Sequence, residues 1–322
     1  SPSIPVTQQY ASCLPGTRRL HLRTAEGLPL IVTNHRERSA FNFSPYQGEK
    51  LRPVITYNYD NEHITPYSFD VELDDNRMKA EYALSHQSAI YRITYEADKP
   101  AYLIVNSRNG SIHANENFIS GRQQLNDNTN VYVYIEAQEK PISAGILENG
   151  TIETSKDNAE GANACAAWRF ADGTTTVNLR YGISFISEEQ AEKNLHRELK
   201  DYNIKALAEA GRQIWNETLG RIQVEGGTED DKTVFYSSFY RTFERPICMS
   251  EGGRYFSAFD GKVHEDNGTP FYTDDWIWDT YRAAHPLRTL TTKQKEEAHR
   301  ILPAHGGTNG QYVDAYFPRS NR

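Results

Sequence analysis

The hydrophobic period of this chain changes once, at Ser187, and that change limits the folds open to it. Before it, apolar residues alternate in short runs, among them "YSFDVEL" (67–73), "MKAEYALSH" (78–86), "AIYRITYE" (89–96), "VYVYIEA" (131–137), "ACAAWRF" (164–170) and "TTVNLRYGISFI" (175–186). "LRPVITYNY" (51–59), "AYLIV" (101–105) and "PISAGILE" (141–148) read the same way. A period of two puts successive side chains on opposite faces, so these are strands with a buried face. Asn109-Gly110, Asn149-Gly150 and Asp172-Gly173 supply turns between several of them. Roughly ten strands at this spacing predict an antiparallel sandwich rather than βαβ units.

From Ser187 the period is helical. Ser187 with Gln190 three residues on has the form of a capping box, and Ala191, Leu195 and Leu199 recur at helical spacing. A second helical run, with Ala206, Ile214 and Leu219 as its apolar positions, follows a break near Asn203. A helix from Asp230 would align Phe235, Phe239 and Phe243 and end at Pro246. "GGRYFSAFDGKVHE" (252–265) has the pattern of a hairpin turning at Asp260-Gly261, and a further helix is expected from Thr292. The predicted fold is thus β plus α and multidomain: a β-sandwich over 1–186, a helical linker over 187–225 and an incomplete α-helical domain over 226–322. Two or three helices with aromatic stripes cannot enclose a core of their own.

Composition narrows the function classes. The net charge of −8 argues against a nucleic-acid binder, which needs a surplus of Lys and Arg on one face. No apolar run approaches the ~18 residues of a membrane-spanning helix, and the first sixteen residues lack the basic start and apolar block of a signal peptide. Cys13, Cys165 and Cys248 have neither zinc spacing nor an even count, and read as buried free thiols. No nucleophile elbow, phosphate-binding loop or metalloprotease motif occurs. The 20 Tyr and 4 Trp give flat apolar faces with hydrogen-bonding edges, which suit sugars and interfaces alike.

The densest cluster is "FYTDDWIWDTYRAAHPLRTL" (271–290). On a helix capped near Thr273 or Asp274, Asp279 and Arg282 are three apart and can pair, and Trp278 is four before Arg282. Spacing alone fits a packed helix with an ion pair at its rim as well as it fits one wall of a polar-ligand pocket. Pro286 would bend or end that helix, and His285 before it is a core or a ligand histidine. "YNYDNEHITPYSFDVEL" (57–73) gathers Tyr57, Tyr59, Asp60, Glu62, His63 and Tyr67 into a solvated loop or a pocket edge, with no metal-ligand spacing.

Taken in order, these segments resemble glycoside hydrolase family 92, the calcium-dependent exo-acting α-mannosidases. The resemblance runs from about Ala40 to Leu290 through "SPYQG", "YNYDNEHITPYSFDVEL", "RMKAEYALSHQSAIYRITY", "GISFISEEQAEKNL", "IWNETLGRIQVEGG", "KTVFYSSFYRTFERP" and "GRYFSAFDGKVH". Its most specific element is W-D-T-Y-R followed by H-P-L in 278–287. Residues 1–39 match poorly, although "GLPLIVT" (27–33) is similar in part. The resemblance implies a β-sandwich packed on an (α/α)6 barrel, with the site between them. It also implies removal of terminal α-mannose from N-glycans or mannans with inversion, by a glutamic acid, an aspartate base and calcium on the sugar hydroxyls. Trp278, Asp279, Arg282 and His285 would then bind substrate, with Asp279 hydrogen-bonded to the mannose. The family's acid, base and calcium ligands fall in later barrel helices, so no catalytic residue is assigned within this chain. A partner chain could supply the rest of the barrel, and a secreted or periplasmic location is implied. The alternative is a non-catalytic carbohydrate-binding or interaction module built on the sandwich.

Overall fold

A computed structural model of the protein describes residues 24–32, 39–74, 77–126, 128–243, 247–273 and 281–291. Among these, sixteen strands precede the first helix, and they form two sheets. The larger runs, in spatial order, β1 (Thr24–Glu26), β4 (Thr56–Ile64), β5 (Ser68–Leu73), β6 (Met78–Leu84), β7 (Ser88–Thr94), β16 (Thr176–Ser184), β11 (Thr129–Ala137), β10 (Ile119–Asn126), β9 (Gly110–Ala114) and β14 (Asn158–Gly161). The smaller runs β13 (Thr151–Glu153), β12 (Ser143–Glu148), β15 (Ala164–Arg169), β8 (Tyr102–Ser107), β3 (Ser39–Tyr46) and β2 (Leu28–Val32). Neighbouring strands pair antiparallel throughout. Strands β2 and β3 bring the sandwich's start well before the first strand read from the sequence.

The core lies between the sheets because alternate side chains point there. In β11, Val131, Val133 and Ile135 are buried while Asn130, Tyr132 and Tyr134 are half-buried on the far side. Trp168, Phe43, Leu103 and Val105 meet them from the smaller sheet. Polar groups caught between the sheets are bonded across the gap: Trp168 Nε1 donates to the Asn115 carbonyl (2.7 Å) and Ser107 Oγ to that of Arg122 (3.0 Å). This satisfies what burial would otherwise penalise. The acid- and tyrosine-rich stretch expected as a loop is instead mostly strand β4. It carries a bulge between Asp60 and His63, with Asn61 at φ 50°. Tyr57 is buried and donates to the Pro45 carbonyl, so it lines no open pocket edge.

Helix α1 (Glu188–Glu198) lies across the outer face of β16. Gly182 makes this possible, since a Cβ there would stand 2.2 Å from the Ala191 carbonyl oxygen. Ala191, Leu195 and Leu199 are buried as their spacing predicts. Helix α2 (Ile204–Leu219) is capped by Asn203, which accepts from the Ala206 amide. Its buried positions are Ile204, Trp215 and Thr218; of the expected Ala206, Ile214 and Leu219, the first two are exposed and Leu219 packs against the Trp215 cluster. Helix α3 (Glu229–Arg241) has the reciprocal capping box, between Thr228 and Asp231. It ends at Arg241, ahead of Pro246, and stacks Phe235, Phe239 and Phe243 in sequence. Strands β17 (Ile247–Cys248) and β20 (Tyr272–Thr273) pair with each other, as do β18 (Arg254–Ser257) and β19 (Lys262–Glu265) in the predicted hairpin. The last described helix is α4 (Ala284–Thr291). The helix expected from Thr292 lies outside the described residues.

Candidate functional site

Thr273, where the expected helix would be capped, belongs to strand β20, and the other cap expected, Asp274, lies outside the described residues. Pro286 is the third residue of α4 and ends nothing. In a first turn its missing N–H would have had no intrahelical partner anyway, so proline fits there. Trp278 and Asp279 lie outside the described residues. His285 is the second residue of α4, and its side chain is outside the description too. Arg282 is exposed and sits on its own neighbour, with its guanidinium 5.2 Å from the Tyr281 ring centroid and Nε donating to the Tyr281 hydroxyl (2.5 Å). Helix α4 rests on α3 and α2: Leu287 packs on Trp215, Phe239 and Phe243, and the buried Arg288 donates to the Thr242 carbonyl (3.1 Å).

The other end of the cluster is fixed by polar contacts that sequence reasoning missed. Phe271 donates its amide to Ser250 Oγ (2.9 Å) and accepts at its carbonyl from the Met249 amide (2.8 Å). Its ring stacks on Tyr255 at 4.0 Å. Between Ser250 and Tyr255 the chain reverses at Glu251-Gly252-Gly253-Arg254, with φ of 61° and 90° at the two glycines. Positive φ at both central positions is the conformation glycine adopts without strain.

Both ends of this turn reach α1. Arg254 Nη2 donates to Gln190 Oε1 (2.6 Å), Gln190 Nε2 to Asn194 Oδ1 (2.9 Å), and Asn194 Nδ2 to Glu251 Oε2 (2.9 Å). Glu251 also accepts from Ser184 Oγ (2.5 Å) and the Phe185 amide (2.8 Å). A guanidinium only donates and a carboxylate only accepts, so the ends of the chain dictate how both amides are turned. Burial pushes the Glu251 carboxyl up to about 7 against these three donors and the positive charge of Arg197. Beside it, Gln87 Nε2 donates to the Ser250 carbonyl (2.9 Å), and Gln87 Oε1 accepts from Arg197 (2.7 Å). Burial lowers the basicity of neighbouring His86. Gln190 therefore serves this chain and does not close the capping box, of which only the Ser187 half forms. The one local signal was a Gly-Gly pair flanked by opposite charges.

Chemically, this seam holds the 251–254 turn against α1 and β16. Glu251 is 2% exposed with its oxygens taken by three donors, which leaves it no route to an acid role on a substrate. Among the described residues no three His, Cys, Asp or Glu side chains stand together as a metal site. A pocket of about 530 Å³ lies elsewhere, lined by Tyr46, Glu49, Lys50, Arg52 and Ile55 among others, with no residue from α1, the 251–254 turn or α4.

A model of the glycosyl hydrolase family 92 N-terminal domain matches residues 28–184, and one of that family's catalytic domain matches residues 190–301. The boundary falls between Ser184 and Gln190, two partners in the polar chain. An uncharacterized secreted glycosidase of Arthroderma benhamiae is 32% identical over 101 residues, covering 28% of this chain and 13% of its own length. A family GH92 inverting mannosidase of Bacteroides thetaiotaomicron shares the fold with a TM-score of 0.71 and 23% identity, over 88% of this chain and 43% of its own. A second family GH92 α-mannosidase of that organism, also solved in complex with mannoimidazole, gives 0.75 at 20% identity over 92% and 48%. The chain thus spans less than half the length of each of these relatives. With both domains matched in order and together spanning most of the sequence, the chain belongs to glycosyl hydrolase family 92.

Proposed function

We propose that this chain is the sandwich and first helical portion of an α-mannosidase whose full length removes terminal α-linked mannose from N-glycans or mannans with inversion. The observation that carries this reading is the consecutive match of both family 92 domains across one continuous seam. Inversion needs two carboxylates spaced to admit a water between them. No such pair is assigned within these 322 residues, and the remaining length of the relatives is where the reading puts it. Calcium, implied by the family resemblance, is assigned there too. Among the described residues no cluster of three His, Cys, Asp or Glu side chains forms to hold it. Trp278, Asp279, Arg282 and His285 line the sugar's terminal subsite from this chain's side. A partner surface of helical barrel covers Ile214, Val234 and Leu290, which α2, α3 and α4 expose. Similarity to a secreted glycosidase of Arthroderma benhamiae supports secretion, and no helix among the described residues is long and apolar enough to cross a membrane.

The test is to incubate the purified chain with calcium and α-1,2-mannobiose and measure mannose release. Little or no turnover is expected; brisk turnover would place acid and base inside this chain. The rival reading, a sandwich that binds glycans by itself, would be favoured if sugar binding survived deletion of residues 230–322.

A further inference from the structure

We propose that the pocket of about 530 Å³ at the start of β4 binds an anionic sugar, a pyranose ring carrying a carboxylate or a phosphate, with Arg52 and Lys50 on the charge and Tyr46 against the ring. The inference goes beyond the mannosidase reading and does not depend on it.

The connection from β3 to β4, residues 47–55, builds most of this pocket and is held along its length. Gln47 accepts the Glu96 amide at Oε1 (2.9 Å) and donates from Nε2 to the Glu96 and Lys99 carbonyls (2.8 and 3.3 Å). Leu51 is buried in the sandwich core. Ile55 is buried too, its amide donating to Ser44 Oγ (3.3 Å) and its carbonyl accepting from the Gly27 amide (2.8 Å). Between these anchors Glu49, Lys50 and Arg52 are exposed and line the pocket. Gly48 leaves room for the wall, since a Cβ there would stand 2.0 Å from Tyr46 Oη and 2.3 Å from its Cζ; the Tyr46 ring folds back over the glycine. A backbone fixed in this way lowers the ordering cost that a ligand would otherwise meet.

The charged side chains of the pocket are uncommitted. Elsewhere on the sandwich cations hold carboxylates, as Arg122 does Glu160 (3.0 Å) and Lys156 does Glu148 (2.7 Å). Among the described residues Glu49, Lys50 and Arg52 have no such partner. Two positive charges against one negative, in a chain of net charge −8, suit an anion. The guanidinium fork matches a carboxylate or a phosphate with two parallel N–H bonds. Glu49 repels a bare anion but accepts from hydroxyl groups, and Tyr46 offers a flat apolar face with a polar edge. Charge, hydroxyl acceptor and ring face together describe a sugar acid or a sugar phosphate rather than inorganic phosphate. The volume falls in the range of about 300–1,000 Å³ usual for small-molecule sites. Strand β4 leads from the pocket at Thr56 to Ile64, roughly 25 Å at about 3.3 Å per residue. Tyr67, just beyond it, packs on the Trp215 cluster, so the pocket lies at the end of the sandwich away from α2.

The test is titration calorimetry of the purified chain at low salt with methyl α-glucuronide, glucose 6-phosphate, inorganic phosphate and methyl α-mannoside. At least one of the two sugar anions is expected to bind with a dissociation constant of about 1 mM or below, and inorganic phosphate and methyl α-mannoside about tenfold or more weakly. Binding of the glucuronide alone would identify the charge as a carboxylate, of glucose 6-phosphate alone as a phosphate, and of both as either; each supports the proposal. Arg52→Ala should weaken the bound sugar anion by about tenfold or more, and Gly48→Ala, which pushes the Tyr46 ring aside, by about threefold. Arg52 is exposed and its replacement should leave the melting temperature unchanged within about 1 °C. Should it not, Lys50→Gln takes its place, with a loss of about threefold expected. No binding of either sugar anion, inorganic phosphate or methyl α-mannoside bound as tightly as the sugar anion, or an affinity that neither Arg52→Ala nor Lys50→Gln lowers would overturn the proposal.

Discussion

The sandwich and the helical part cover apolar surface in different ways. Between the sheets, Trp168, Phe43, Phe170, Tyr181 and some forty other side chains form one continuous cluster. The α2–α4 layer has Trp215, Phe239 and Phe243 at its centre and leaves Ile214, Val234 and Leu290 in solvent, Leu290 at 86% exposure. The first unit closes its own core. The second is a wall with an exposed outer side, and it meets the first through Ile204, Leu207 and Ala208 against Ala83 and Ile90 and through Tyr67 on the Trp215 cluster. Buried apolar contact is therefore concentrated in the sandwich and thinner at the helical side.

The sharpest test exchanges one buried tryptophan in each region. Trp168→Ala removes a fully buried ring and strands the Asn115 carbonyl, and should destabilise the whole chain by about 3–5 kcal/mol in denaturant unfolding. Trp215→Ala is expected to accelerate hydrogen exchange in α2 to α4 alone, with the sandwich's midpoint moved by less than about 1 kcal/mol. Equal global losses from both would mean that the two regions form one cooperative unit.

A second test uses pH. The Glu251 carboxyl binds its proton more tightly when folded, with a value raised from 4.5 to about 7. Its contribution is therefore fully present below about 4.5 and is lost as pH rises through about 7, a change of roughly 3 kcal/mol. Stability measured across pH 4.5 to 8 should carry this falling component, and Glu251→Gln should flatten it. A smaller effect is expected at α3, where Thr228→Ala removes the capping box and should cost about 1 kcal/mol, seen as faster exchange in its first turn. Smallest of all, Cys165, whose thiol burial pushes up to about 12, should stay unreactive toward disulfide reagents at pH 8 until the sandwich unfolds.

Much of the architecture was legible because periodicity records burial. Ala191, Leu195 and Leu199 marked the face of α1, and β11 alternated without a break. Strand β10 was silent for a physical reason: its inward positions are Ile119, Gly121 and Gln123. Gly121 leaves no room for a side chain, as a Cβ there would stand 2.6 Å from the Ser111 carbonyl oxygen, and Gln123 is buried because it takes the Phe41 and Arg108 amides. Helix α2 misled because Ile214 faces the uncovered side. The polar chain could not be read at all, since Glu251 meets Asn194 and Ser184 across 57 and 67 residues. Of the predicted sugar contacts, Arg282 is seen on Tyr281, and Trp278 and Asp279 lie outside the described residues.

The central claim is that this polypeptide holds one side of a mannose site and none of the catalytic carboxylates. It is tested most directly by titrating the purified chain with mannoimidazole while following mannose release from α-1,2-mannobiose in calcium. Saturable binding that Asp279→Ala abolishes, with no release above background, is the result expected. Rapid release of mannose, or binding unchanged by Asp279→Ala, would contradict it.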